Sequence, residues 1–317
     1  MDEARKSIVS SSHSRKNDFS FHFLYLWFKE RFPPENFVFF SIVAFAFGLF
    51  ARGSFSFSTY DIFLFLSISS FFLLIRIIDE HKDFKDDLKN HPERVLQSGR
   101  VTLRQLRIVG TLAFLPPLIH TFYVAFLSTR ALYLFLLTFI WLFLMAKEFF
   151  ASKWLKKHLF LYALSHMAII PLAALWWLAL AKGQGSFTAS YFVLYVVLFC
   201  FFGSFAGEII RKSRGREESK NLESYNRHFG YYGSALLAIF LTCAMVLCAL
   251  GILYENLGAR VELFYFILFF IFLSIFQVFH LYRYQKDPTQ KAREKNESVY
   301  AMCLILTYTA LIVSYLI

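Results

Sequence analysis

Apolar residues arrive in nine long runs separated by polar breaks, at approximately 36–53, 60–78, 108–127, 131–147, 158–181, 190–210, 232–254, 261–282 and 297–317. Each run is close to the roughly 20 residues that a helix needs to cross a hydrocarbon core about 30 Å thick. Inside a bilayer only helices and closed barrels satisfy every backbone N–H and C=O, and none of the runs has the two-residue alternation of a barrel strand. The pattern predicts an all-α polytopic membrane protein of about nine spans. The transmembrane domain covers 36–317, and residues 1–35 form a polar and aromatic N-terminal segment.

Composition agrees, since 57% of the 317 residues are hydrophobic and 42 are Phe. A soluble domain averages about 45–50% apolar residues and could not hide that much surface. The formal charge of +11 raises nucleic-acid binding as a possibility, but the placement of the cations excludes it. Of the 33 Lys and Arg, 28 fall in alternate segments that include the N-terminus, four in the intervening loops (Arg52, Arg130, Lys182, Arg260), and Arg76 within a span. Positive charge collects in cytoplasmic loops. The expected topology is therefore N-terminus cytoplasmic and C-terminus outside, in a membrane such as the bacterial cytoplasmic membrane.

Near the start, Arg5, Lys6, Arg15 and Lys16 precede a short apolar stretch, Phe19 to Phe28, with no small-residue cleavage site. It reads as an interfacial aromatic segment stopped at Pro33-Pro34, not a cleaved signal. Cys200, Cys243, Cys248 and Cys303 lie in apolar runs without CxxC spacing, so they read as small buried hydrophobes and not as a zinc site.

The candidate chemistry sits in two long inner loops. Span two runs into Asp79-Glu80-His81-Lys82-Asp83-Phe84-Lys85-Asp86-Asp87. If the helix continues, Asp79, Asp83, Asp86 and Asp87 share one face. Like charges at that spacing repel, and a hard divalent cation such as Mg²⁺ bridging to a phosphate would compensate them. Neutralisation by Lys82, Lys85 and Lys89 in a solvated helix end is the alternative. Span six ends in a second cluster, Glu208, Arg211, Lys212, Arg214, Arg216, Glu217 and Glu218, followed by Tyr225 and Gly230. Spans two and six have the same orientation, which points to two similar halves facing one central cavity. The cations of both clusters suit a diphosphate, although such residues also bind lipid headgroups or enforce topology. Lys147-Glu148 at the inner end of span four borders the same region. For His120 and His166, near Pro116, Pro117 and Pro171, local hydrogen bonding is favoured over metal ligation.

These residues resemble the UbiA-type prenyltransferase superfamily, which moves isoprenoid chains from prenyl diphosphates to acceptors. Nine spans with this orientation match. The family's first motif, NDxxDxxxD, is similar to Ile75-Arg76-Ile-Ile-Asp79-Glu-His-Lys-Asp83, and its RPLxxGRI segment to His91-Pro92-Glu93-Arg94-Val95-Leu96-Gln97-Ser98-Gly99-Arg100-Val101. Its second motif, DxxDxxxD, falls over Glu208-Ile-Ile-Arg211-Lys-Ser-Arg-Gly215. Ile75 and Arg76 replace the first motif's Asn and lead Asp, and the second motif keeps a carboxylate only at Glu208. The chain thus looks like a divergent branch carrying RxxDExxD and ExxRK.

The resemblance implies a Mg²⁺-assisted transferase acting on a polyprenyl diphosphate or related lipid at the cytoplasmic face. Asp79, Asp83 and Glu208 would be its catalytic and metal-binding carboxylates. Arg76, Arg94, Arg211, Lys212 and Tyr225 would be its diphosphate or substrate partners. A non-catalytic isoprenoid-binding or transport protein with the same fold is the alternative. Acceptor, chain length and oligomeric state are not specified by these motifs.

Overall fold

The computed structural model describes residues 21–183, 190–218 and 224–317. Arg5, Lys6, Arg15 and Lys16 lie outside the described residues. The described chain folds into helices α1 (Phe21–Arg31), α2 (Glu35–Arg52), α3 (Thr59–Asn90), α4 (Leu103–Ala125) and α5 (Thr129–Ala146). After a 3₁₀ turn at Glu148–Phe150 come α6 (Ser152–Lys157), α7 (Leu159–Met167) and α8 (Ile169–Lys182). The last four are α9 (Tyr191–Arg211), α10 (Tyr225–Leu257), α11 (Val261–Lys286) and α12 (Gln290–Val313). Among the described residues nine helices are long and apolar enough to cross a membrane, with α7 and α8 together forming one. The protein is an integral, multi-pass membrane protein.

Successive spans pack against their chain neighbours, and α2 packs against α12, so the bundle closes into a ring in chain order. Aromatic rings fill much of its interior. Phe71 of α3 meets Trp176 and Trp177 of α8 at 5.8 Å between ring centroids, and Phe47 of α2 meets Trp177 at 5.6 Å. Edge-on and tilted contacts of this kind add to the area they bury. Trp176 Nε1–H also donates to Thr121 Oγ1 at 3.0 Å, so this fully buried side chain has its polar handle satisfied.

Polar residues set where the helices start and stop. Ser58 and Asp61 form a capping box at the start of α3, and Thr102 and Gln105 one at the start of α4, each satisfying orphan N–H groups of a first turn. At its other end α3 continues well past the apolar run and stops at His91, the residue before Pro92, where helical geometry is disfavoured. Asp79, Asp83, Asp86 and Asp87 are therefore helical.

The aromatic N-terminal stretch is α1, and it is docked on protein. Trp27 is fully buried with Ile77, Val95, Leu96, Val101, Leu106 and Val109. Arg31 reaches Glu80 of α3 at 2.6 Å, and Glu30 accepts the backbone N–H of Val95 at 3.1 Å. Phe21 and Tyr25 remain exposed on its other flank, as an interfacial helix requires.

Candidate active site

The two polar clusters read from the sequence meet at one end of the bundle. Asp79 of α3 lies within electrostatic reach of Lys82 in its own helix and of Glu208, Arg211 and Lys212 at the end of α9. Asp83, one turn beyond Asp79, senses Lys82, Asp79, Asp87 and Glu148. Lys82 does not pair with Asp86. Its Nζ lies 3.8 Å from Asp79 and donates to the Tyr162 hydroxyl at 3.2 Å. Tyr162 stands at the centre of the group, with Lys82 and Lys212 each 5.8 Å from its ring centroid, within range of cation–π attraction. A cleft of about 10 Å³, room for roughly one water, is lined by Asp79, Lys82, Met145 and His166 among others.

Glu208 is engaged on both oxygens. Arg211 contacts Oε2 at 2.5 Å, and Lys212 contacts Oε1 at 2.9 Å. The cations come from the last turn of α9, where positive charge also complements the helix dipole. A metal ion at Glu208 would have to share the carboxylate with these two cations. Among the described residues no guanidinium lies within ion-pair distance of Asp79 or Asp83, and their spacing presents oxygens on one face of α3. Mg²⁺ binding through one or two carboxylates plus substrate phosphate fits that pair. No group of three or more His, Cys, Asp and Glu with metal-site geometry occurs among the described residues.

Three other expected site residues point elsewhere. Arg76 turns to Glu80, at 2.9 Å, and thereby shares that buried carboxylate with Arg31 of α1. Arg94 pairs with Asp87 at 2.8 Å. Tyr225, fully buried, packs among Ile209, Ile210, Leu281 and Tyr300 beneath the loop that follows α9. That loop is tied down by Glu218, which bonds Gly215 N–H at 2.6 Å, Arg214 at 3.1 Å and Arg293 of α12 at 3.0 Å. Burial raises the Glu218 carboxyl's pKa. The Gly215 amide and the two guanidiniums outweigh this and hold it below the ordinary carboxylate range.

The two histidines read as locally bonded are so. His120 Nδ1 lies 3.0 Å from Ser67 Oγ, and His166 Nδ1 lies 2.8 Å from the Tyr162 carbonyl. His166 nonetheless faces the cleft, and its other nitrogen, Nε2, is buried without a hydrogen-bond partner, which costs about 1–3 kcal/mol.

Beside it the backbone is strained. Glu148, Phe149 and Phe150 have φ of 48, 52 and 56°, a left-handed turn of three non-glycine residues at about 1–2 kcal/mol each. This turn sets Phe149 edge-on against Trp141 and His166, at 5.3 and 5.9 Å. It also places Glu148 within electrostatic reach of Asp83, Tyr162 and His166. Tyr162 had no signal of its own in the sequence beyond its i, i+4 spacing from His166, because a tyrosine in a span normally packs or faces lipid. The left-handed turn has no glycine or asparagine to announce it.

No curated protein matches the sequence significantly. Among solved structures, one from work on digeranylgeranylglyceryl phosphate synthase in membranes aligns with a TM-score of 0.61 and 16% identity, covering 93% of this chain and 99% of that one. The apo structure of a UbiA homolog from Aeropyrum pernix K1 also aligns at 0.61 and 16%, covering 89% and 98%. At that identity the likeness shows the fold. The sequence pattern of the UbiA prenyltransferase family matches residues 37–304. The chain, with its ring of spans and two facing polar helix ends, belongs to the UbiA prenyltransferase family.

Proposed function

We propose that this protein is a membrane-embedded prenyltransferase that moves an isoprenoid chain from a prenyl diphosphate to an acceptor, at the cytoplasmic face of the membrane. The observation that carries the reading is the meeting of Asp79 and Lys82 with Glu208, Arg211 and Lys212, with Asp83 beside Asp79 and Lys82, in a chain of this family. Family membership also favours transfer over a purely lipid-carrying role.

Ionising an allylic diphosphate puts negative charge on the departing group, and preorganised cations aimed at that charge lower the barrier. Lys82, Arg211 and Lys212 supply three such cations around one carboxylate. Arg211 offers a planar fork to two phosphate oxygens, and the lysines act as point charges. Glu208 holds Arg211 and Lys212 in register. Asp79 and Asp83 are the residues that would hold Mg²⁺, whose contribution when bound is to neutralise further charge on the diphosphate. In this division of labour, cations of the chain take the place of part of the metal that a more acidic second motif would bind. Arg76 and Arg94 act through the helix packing they fix and not on the substrate.

Farnesyl diphosphate binding to the purified protein in nanodiscs, with and without Mg²⁺, tests the reading. The expected result is Mg²⁺-strengthened binding that Asp79→Asn and Asp83→Asn make insensitive to the metal, with turnover lost. Arg211→Gln should weaken binding about 10-fold or more even without Mg²⁺, the scale of one charge-assisted hydrogen bond. Wild-type protein that does not bind the donor under either condition would overturn it.

A further inference from the structure

His166 is the one group in the cleft with a fixed proton and an idle lone pair. Its Nδ1 lies 2.8 Å from the Tyr162 carbonyl oxygen. A carbonyl can only accept, so Nδ1 carries the hydrogen, and in the neutral ring Nε2 is left as an acceptor. Nε2 is buried and unpartnered, in a residue that lines the cleft with Asp79 and Lys82. The ring has no freedom to turn away. Tyr162 stacks on it at 4.0 Å and 19°, and Phe149 meets it edge-on at 5.9 Å and 72°. Phe149 is held there by the left-handed turn. Strained backbone and an unsatisfied nitrogen thus converge on one imidazole, a combination that accumulates at functional sites.

Prenyl transfer needs a group of this kind. The bond between C1 of the chain and the diphosphate oxygen breaks, and its electron pair leaves with the diphosphate. The acceptor's nucleophilic atom bonds to C1 and must lose its proton. Lys82, Arg211 and Lys212 serve the leaving group as cations and have no lone pair to offer. Glu208 is occupied by Arg211 and Lys212.

We propose that His166 Nε2 is the general base that takes the proton from the acceptor's attacking group, a hydroxyl or an electron-rich aromatic carbon. This rests on the transferase reading above. The charged groups that face the ring are Lys82 from α3, Lys212 from α9 and Glu148 from the turn. The proton taken up is handed on to released diphosphate or to water, restoring the neutral ring.

The test uses wild-type, His166→Gln and His166→Ala proteins in nanodiscs with farnesyl diphosphate and a mixture of phenolic and aliphatic alcohols. Farnesol, the product with water as acceptor, is scored in the same samples. The expected result is unchanged donor binding in all three, with total product formation falling about 10²- to 10⁴-fold in both variants. Added imidazole should restore His166→Ala, whereas pyrrole, equal in shape but not basic, should not. Variants that keep the wild-type rate, or rescue by pyrrole as well as imidazole, would overturn the assignment and leave the transferase reading standing. Wild-type protein that binds the donor but forms no product of any kind would overturn the transferase reading, and this inference with it.

Discussion

Glu80 shows at the scale of one residue how the site's neighbourhood is held. Its side chain is fully buried and bridges Arg31 of α1 to Arg76 of α3, at 2.6 and 2.9 Å. Removing the carboxylate leaves Arg76 without this ion pair and Arg31 with only its longer contact to Asp87, at 3.9 Å. Breaking a fully buried pair costs about 3–5 kcal/mol, and because both arginines keep some solvent the expected loss for Glu80→Gln is about 2 kcal/mol. Thermal unfolding in nanodiscs checks this, and an unchanged midpoint would show that α1 is not latched through Glu80. This partnership was not legible in the sequence, where Arg76 read as a phosphate ligand. Its partner in α1 lies 49 positions from Glu80, beyond anything periodicity reports. The approach of Asp79 to Glu208 was legible because their positions at the ends of two like-oriented spans are set by counting. Tyr162 was not, because its central place depends on side chains converging from α3 and α9.

Elements were read well in their apolar parts and poorly at their ends. The run at 60–78 located α3, but the helix extends to Asn90, since charged residues continue a helix that capping and Pro92 alone terminate. The loop after α9 is the element whose docking is most exposed to chemistry. A Cβ on Gly215 would lie 2.5 Å from the Gln290 backbone nitrogen, so the loop touches the start of α12 closely. Glu218 secures it there. Because the Glu218 pKa is depressed in the folded state, its stabilising contribution is fully present above the unfolded value of about 4.3 and is lost as the pH falls through the lower folded value. Hydrogen exchange at Gly215 should therefore accelerate as the pH is lowered through this range, after correction for intrinsic rates. Glu218→Gln should exchange quickly at neutral pH and show little further change. A flat wild-type profile would remove Glu218 from this role.

The whole molecule is a ring whose ionisable cluster lies at one end, and the topology proposed from the 28-to-4 distribution of Lys and Arg would put that end at the cytoplasmic face. With Cys200, Cys243, Cys248 and Cys303 replaced, Arg260→Cys should react with a membrane-impermeant maleimide added outside intact cells. Arg100→Cys should react only after the cells are opened. The reverse pattern would invert the topology and move the site to the outer face.

The mirror-handed residues Glu148 to Phe150 carry a consequence for anyone seeking a sturdier protein. Phe150 is exposed and has φ of 56°, so Phe150→Gly relieves roughly 1–2 kcal/mol of steric cost, offset in part by glycine's greater freedom when unfolded. The variant should melt at a higher temperature and, under the proposed role of His166, turn over more slowly, since slack in the turn frees Phe149 from His166. On that reading stability and rate are set against each other at this bend, and a screen that selects on melting temperature alone selects against the proposed activity.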